Sequence, residues 1–188
     1  MSDRVDQAFQ AIKRMDFLPP DMWLYASEDR PLPIGYGQTN SQPSTVRQML
    51  IWLGAQPGDT VLDVGSGSGW TTALLGHIVG SGGRVFAVER VPELVEFGWG
   101  NCLVAGVKNV EFRQAGGRFG LPDRAPFDRI LVSAEATELP QTLIDQLKPS
   151  GKMVVPVGNT ILEVTRDPRG DLNVTSHDGF IFVPLVGA

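Results

Sequence analysis

Val61-Leu62-Asp63-Val64-Gly65-Ser66-Gly67-Ser68-Gly69-Trp70 is the stretch on which the fold turns. Its first four residues, mostly apolar and carrying two β-branched valines, read as a short buried strand, and glycines 65, 67 and 69 follow directly. Glycine at alternate positions lets the chain turn sharply from strand into helix and leaves main-chain N–H groups open to a ligand at the helix's positive end. Residues 70–79 read as that helix, and Arg84–Glu89 (RVFAVE) as the next strand, ending on an acid. Strand, glycine turn, helix and acid-ended strand together specify a nucleotide-type cofactor site at the switch point of a doubly wound sheet.

Outward from this stretch the same alternation continues. Ser44 is placed to cap a helix with Val46, Met49, Leu50 and Leu53 on one face, stopped by Gly54. Downstream, Pro92 opens a helix through Leu94, Val95 and Leu103, and strands are expected at Asn109–Arg113, Asp128–Ala134, Lys152–Val157, Ile161–Arg166 and Phe180–Leu185, with a helix near 140–147. Apolar strands separated by helices specify a parallel α/β sheet with helices on both faces. Near the start, Val5, Ala8, Phe9 and Ile12 form the stripe of a helix over 4–16 that Pro19-Pro20 stops. From Leu18 to Pro43 prolines and glycines forbid a regular helix or central strand, yet Trp23, Leu24, Tyr25, Ile34 and Tyr36 are too apolar for a solvated linker. A long ordered loop of this kind implies function.

The 188 residues amount to one domain, 1–188, with residues 1–43 as an N-terminal helix and covering loop. A net charge of −5 and a pI near 5.0 give no basic surface for nucleic acid or an anionic membrane. The single Cys102 excludes an internal disulfide, and with only His77 and His177 besides, no metal site is expected. The N-terminus MSDRVDQAFQ lacks the apolar run of a signal peptide, so a cytoplasmic protein is expected. Trp52 and Trp99 are expected to pack on the sheet, Trp70 to sit at the pocket wall or the core, and Cys102 to be a core thiol; neither histidine has a partner in sequence.

Spacing and charge select the cofactor. A dinucleotide fingerprint needs a third glycine at position 70, where Trp70 stands, and no Gly-Lys-Ser/Thr follows for a phosphate loop. Asp63 beside the loop would repel a pyrophosphate but suits S-adenosyl-L-methionine, which carries an ammonium and a sulfonium. The expected division places Asp63 near the methionine end and Glu89 on the ribose hydroxyls.

Further segments carry a resemblance. Asp29–Pro43 (DRPLPIGYGQTNSQP), the glycine loop, Ala125–Ile130 (APFDRI), Leu143–Lys148 (LIDQLK), Val155–Gly158 (VPVG) and Phe182–Leu185 (FVPL) together resemble the protein-L-isoaspartate O-methyltransferase family, in that family's order and over nearly the whole chain. The glycine loop is common to many methyltransferases, whereas PLPIGYGQT and FVPL are far more specific. The resemblance implies a Rossmann-like, mostly parallel seven-stranded methyltransferase sheet, S-adenosyl-L-methionine as cofactor, and isoaspartyl-containing proteins or peptides as partners of a monomer. It further implies methyl transfer to an L-isoaspartyl carboxylate and collapse of the ester to a succinimide. The family's active-site serine carries over onto Ser41, which read by itself is a turn or N-cap serine. The positions expected at the cofactor are Gln38, Thr39, Asn40, Asp63, Gly65, Ser66, Gly67, Gly69, Glu89, Arg90, Gly116 and Gly117.

The chain departs from the family at three places. Gly116 stands where an acid binds the adenine amino group, Glu135 and Thr137 interrupt a small-residue run, and Asn40 replaces an apolar residue before the serine. A Glu135 facing the pocket would repel a carboxylate substrate. Two alternatives therefore stay open: a methyltransferase of the same fold with another acceptor, and a non-catalytic S-adenosyl-L-methionine-binding module.

Overall fold

Runs such as TVLDV and RVFAVE, apolar on both faces, cannot lie at a surface, and the chain buries them in the middle of one sheet. The structure, a computed structural model, describes residues 2–185. In chain order the elements are α1 (Ser2–Ala11), 3-10 turns at Arg14–Phe17 and Pro20–Tyr25, β1 (Leu32–Gly35), β2 (Gln38–Asn40), α2 (Pro43–Leu53), β3 (Thr60–Val64), α3 (Trp70–Val79), β4 (Arg84–Glu89), α4 (Pro92–Val104), β5 (Val110–Gln114), β6 (Phe127–Val132), α5 (Gln141–Ile144), β7 (Leu147–Val157), β8 (Thr160–Arg166) and β9 (Leu172–Asp178). The main sheet is seven-stranded, ordered β5-β4-β3-β6-β7-β8-β9. Its strands are parallel from β5 to β7, and β8 and β9 close it as an antiparallel meander.

Alternation along the strands sorts the core into two layers. Val61, Val85, Leu131 and Val154 face α1 to α4, packing against Ala8, Leu50, Leu74, Leu75 and Cys102. Leu62, Val64, Phe86, Val88, Ile130 and Val132 face the other way, onto Leu143, Ile144 and Phe127, where the cover is the four-residue α5 and the loop before β6. Strand order reverses at β3, whose neighbours are β4 and β6. The crevice of a doubly wound sheet opens at such a point, beyond the strands' carboxyl ends.

The structure corrects several expectations. The seventh strand is Leu172–Asp178, not Phe180–Leu185: the later segment makes only a bridge from Pro184 to Glu135. α2 begins at Pro43 without a side-chain cap from Ser44; instead the Ser44 N–H donates to Asp29 Oδ1 at 2.9 Å. The first helix ends at Ala11, and the expected helix near 140–147 is one turn, because β7 starts at Leu147 opposite Phe127. Residues 18–43 hold a 3-10 turn and the β1-β2 hairpin, which pairs only with itself. Trp52 does pack on the core, but Trp99 is 53% exposed on α4. His177 gains two partners, a stacked Trp52 ring at 3.9 Å and Glu163 Oε1 at 2.8 Å. Cys102 is fully buried, and burial pushes its thiol up to about 12, with the Asp63 carboxylate adding to the rise.

Candidate active site

The glycine loop is held from two sides. Gly69, at φ 85°, lies so close to α4 that a Cβ there would stand 2.7 Å from the Gly98 carbonyl, and Gly98 in turn has Phe112 and the Gly67 carbonyl against it. Only a glycine pair allows that approach. From above, Ile34 of the hairpin reaches the loop, its Cδ1 3.1 Å from where a Gly67 Cβ would be. The β1-β2 hairpin therefore lies over the glycine loop, whereas α1 packs into the core layer against α3.

Beneath that cover lies a chamber of about 450 Å³. Gln38 and Thr39 of the hairpin, Gly65 and Gly67 of the loop, Glu89 and Arg90 after β4, and Gly116 beyond β5 line it. Glu89 is 7% exposed and staples two loops. Its Oε1 accepts from the Arg90 and Val91 N–H groups at 2.7 and 3.0 Å, and its Oε2 accepts from the Gly67 N–H at 2.9 Å. A carboxylate oxygen accepts two bonds, so Oε2 keeps one site for a ligand hydroxyl. A second chamber, lined by Ser41, Gln42, Thr45 and the Gly179–Val183 segment, adjoins the first. Thr39, Ser133 and Val183 line both, so the two chambers meet at those residues.

The remaining expected positions spread over the surroundings. Asn40 and Ser66, with Ser41, line a polar recess of about 30 Å³ beside Trp70, large enough for one water-sized group. Ser66 Oγ and Trp70 Nε1 are buried there without a hydrogen-bond partner among the described residues. Such orphaned polar atoms, next to the N-terminus of α3 and to a carboxylate with a free acceptor site, fit the polar ends of S-adenosyl-L-methionine. Gly69 serves the packing on α4, and Gly117 lines a neighbouring surface groove with Arg118. Asp63 is fully buried beneath the loop and lines none of these spaces; its Oδ2 accepts from Thr72 Oγ1 at 2.6 Å. Ser133 and Val183 are not among the expected positions, yet both line the chambers; Ser133 directly follows a buried strand, at the end where such sheets bind ligands.

Comparison with known proteins decides the family. The family model for protein-L-isoaspartate(D-aspartate) O-methyltransferase (PCMT) matches residues 1–188. The chain belongs to the PCMT family. A protein-L-isoaspartate O-methyltransferase of Pyrococcus horikoshii is 44% identical over 191 residues, covering 99% of this chain and 86% of that protein. A solved structure of that enzyme name superposes with a TM-score of 0.88 at 29% identity, covering 98% of this chain and 62% of the other. A Plasmodium falciparum PCMT structure, described as a beta-aspartate methyltransferase in complex with S-adenosyl-L-homocysteine, superposes at 0.85 and 25% identity, covering 98% of this chain and 90% of its own. The structure places the three positions at which a departure from the family is expected, Asn40, Gly116 and Glu135. Glu135 lines neither chamber: its N–H donates to the Val183 carbonyl at 2.8 Å and its carbonyl accepts from the Leu185 N–H at 2.7 Å. Gly116 opens onto the first chamber, with nothing within 4 Å of the point where a Cβ would stand.

Proposed function

We propose that this chain transfers the methyl group of S-adenosyl-L-methionine to the side-chain carboxylate of L-isoaspartyl residues in damaged proteins. The observation that carries this reading is the meeting of two chambers at Thr39, Ser133 and Val183, one fitted to a nucleoside and one lined by uncharged groups around Ser41. When bound, the cofactor supplies a methyl group on a cationic sulfur. An acceptor carboxylate aligned with that methyl would take it as an ester, the S–CH3 electron pair leaving with the sulfur as a neutral thioether. No proton moves, because a carboxylate of pKa about 4 is already ionised near pH 7. The protein's task is thus alignment and exclusion of water. The Ser41 hydroxyl holds the acceptor carboxylate, the Glu89 side chain the ribose, and the β1-β2 hairpin closes the chamber.

The ester then collapses when a neighbouring backbone nitrogen attacks its carbonyl and expels methanol, giving the succinimide that reopens in part to normal aspartyl. The acidic pI supports protein rather than nucleic acid or membrane as partner. One buried cysteine suits the cytoplasm.

Methyl incorporation into an isoaspartyl peptide, measured beside its aspartyl twin, tests the acceptor. Labelling of the first alone is expected; equal or absent labelling with cofactor binding intact would sink the proposal. Ser41→Ala is expected to lower kcat by about tenfold or more, as loss of one hydrogen bond to a charged group does, while the Kd for S-adenosyl-L-homocysteine stays within about threefold. Unchanged kcat would remove Ser41 from this role. Gly116→Asp, which adds an acceptor at an open point of the wall, is expected to tighten S-adenosyl-L-homocysteine by about three- to tenfold in calorimetric titration.

A further inference from the structure

Arg14, in the turn after α1, is 7% exposed and directs its N–H groups at six acceptors, none of them a carboxylate. Nη1 donates to the carbonyls of Glu28 and Ala26 at 2.9 and 3.4 Å, and Nη2 to that of Arg30 at 2.8 Å. Nη2 also donates to the carbonyls of Asn40 and Ser41, at 3.1 and 3.0 Å, and Nε to Asn40 Oδ1 at 2.7 Å. The guanidinium lies 5.5 Å from the Trp70 ring at the start of α3. A buried cation matched mainly by main-chain carbonyls is expensive as pure stabilisation, since apolar residues fill such a volume as well. Here every acceptor belongs to the cover.

Two of those acceptors flank Ser41. Peptide units are planar, so fixing the carbonyl of Asn40 and that of Ser41 fixes both planes at the Ser41 Cα. The Cα–Cβ direction follows, and the hydroxyl retains only the freedom of one staggered torsion. Asn40 extends the arrangement to the cofactor loop. While its Oδ1 accepts from Arg14, its Nδ2 donates to Ser68 Oγ at 3.2 Å, and the Ser68 carbonyl accepts from Asn101 of α4 at 3.0 Å. Asn40 is 5% exposed and Ser68 2%, so water does not compete for these bonds.

We propose that Arg14 and Asn40 are positioning residues: they aim the Ser41 hydroxyl at the acceptor, and they tie its placement to the cofactor loop through Ser68. Cofactor seated on the loop thereby orders the acceptor side of the junction. The inference rests on the reading of Ser41 given under Proposed function, and it deepens that reading.

The test uses Asn40→Leu, Asn40→Asp, Ser68→Ala and Arg14→Lys in the full chain. Wild-type labelling of the isoaspartyl peptide tests the acceptor reading by itself. The inference is read from ratios to wild type and from hydrogen exchange with S-adenosyl-L-homocysteine, which needs no acceptor. Asn40→Leu is expected to lower kcat about tenfold, with KM for the peptide and the S-adenosyl-L-homocysteine binding stoichiometry within twofold. Asn40→Asp, which keeps the acceptor for Arg14, should recover at least a third of wild-type kcat. In wild type, S-adenosyl-L-homocysteine should protect the amides of residues 26–41 as well as those of the glycine loop; in Asn40→Leu and Ser68→Ala the protection over 26–41 should fall at least threefold while that of the loop stays. Arg14→Lys, with three donors in place of a planar fork, should lower kcat at least as much as Asn40→Leu, and if it does not fold the other variants decide. An Asn40→Leu enzyme that turns over within twofold of wild type, or equal protection of 26–41 in all folded variants, overturns the proposal.

Discussion

Glu89→Ala is expected to weaken S-adenosyl-L-homocysteine binding by about 100-fold or more. The carboxylate acts twice. It accepts from three backbone N–H groups that belong to the two loops on either side of the crevice, and its Oε2 has a site left for the ligand. A hydrogen bond to a charged group contributes roughly 1.5–3 kcal/mol, and 1.4 kcal/mol is tenfold in affinity. Losing the ligand bond therefore accounts for about tenfold to 100-fold. The rest arises because Gly67, Arg90 and Val91 lose their common acceptor and the loops their spacing. Glu89→Gln separates the two contributions: its single carbonyl oxygen serves one loop only, so an intermediate loss of about tenfold to 50-fold is expected. Calorimetric titration decides, and an alanine variant within threefold of wild type would remove Glu89 from the cofactor site.

Asp63 gives the second large effect, and it is one of pH. Burial pushes its carboxyl up to about 7; the hydrogen bond from Thr72 works against that rise, and the nearby Glu89 charge adds to it. Between about pH 4 and 7 the folded protein holds a proton there that the unfolded chain has released. Stability from this group is therefore full below pH 4 and falls as pH rises through 7, above which a buried, ionised carboxylate with one unpartnered oxygen remains. Three pKa units correspond to up to ~4 kcal/mol. Asp63→Asn keeps an acceptor for Thr72 and cannot ionise. Urea unfolding of both proteins from pH 4 to 8 should show the variant gaining on wild type as pH rises, with every other titrating group cancelling in the difference. Parallel curves would show that Asp63 is ionised throughout. Since the bound cofactor is cationic, its binding should also draw Asp63 toward the ionised form and strengthen with pH over the same window.

How far the sequence foretold all this depends on burial. The strands β3, β4 and β6 were legible because both their faces are covered, so that apolar residues fall on both faces of each: Val61 and Leu62, Val85 through Val88, and Ile130 through Val132. β9 was not, because LNVTSHD lies on the open edge, mostly exposed, and carries no apolar run and only a four-residue alternation over 172–175. Phe180–Leu185 imitated a strand for the opposite reason: Phe180, Phe182 and Leu185 are apolar because they cap the two core layers, not because they pair in a ladder. Glu89 and the glycine loop could be placed from spacing alone, since main-chain geometry dictates that site. The contacts of Arg14 could not, because its partners are carbonyls, which every residue has and no residue type reveals. Asp63 was legible as an acid at the loop, but whether it faces the ligand or the core depends on the pleat of β3 and the seat of Thr72.

The Gly179–Val183 segment that walls the second chamber is fixed by its main chain, through the Val183 carbonyl and the adjoining Leu185 N–H bonded to the Glu135 backbone. No charged side chain lines that chamber among the described residues. Such a wall discriminates little between one flanking residue and another. Isoaspartate arises where an asparagine or aspartate degrades through a succinimide, and so in many sequence contexts rather than one. A catalyst that must meet it in many settings is served by a wall that stays indifferent to the neighbours.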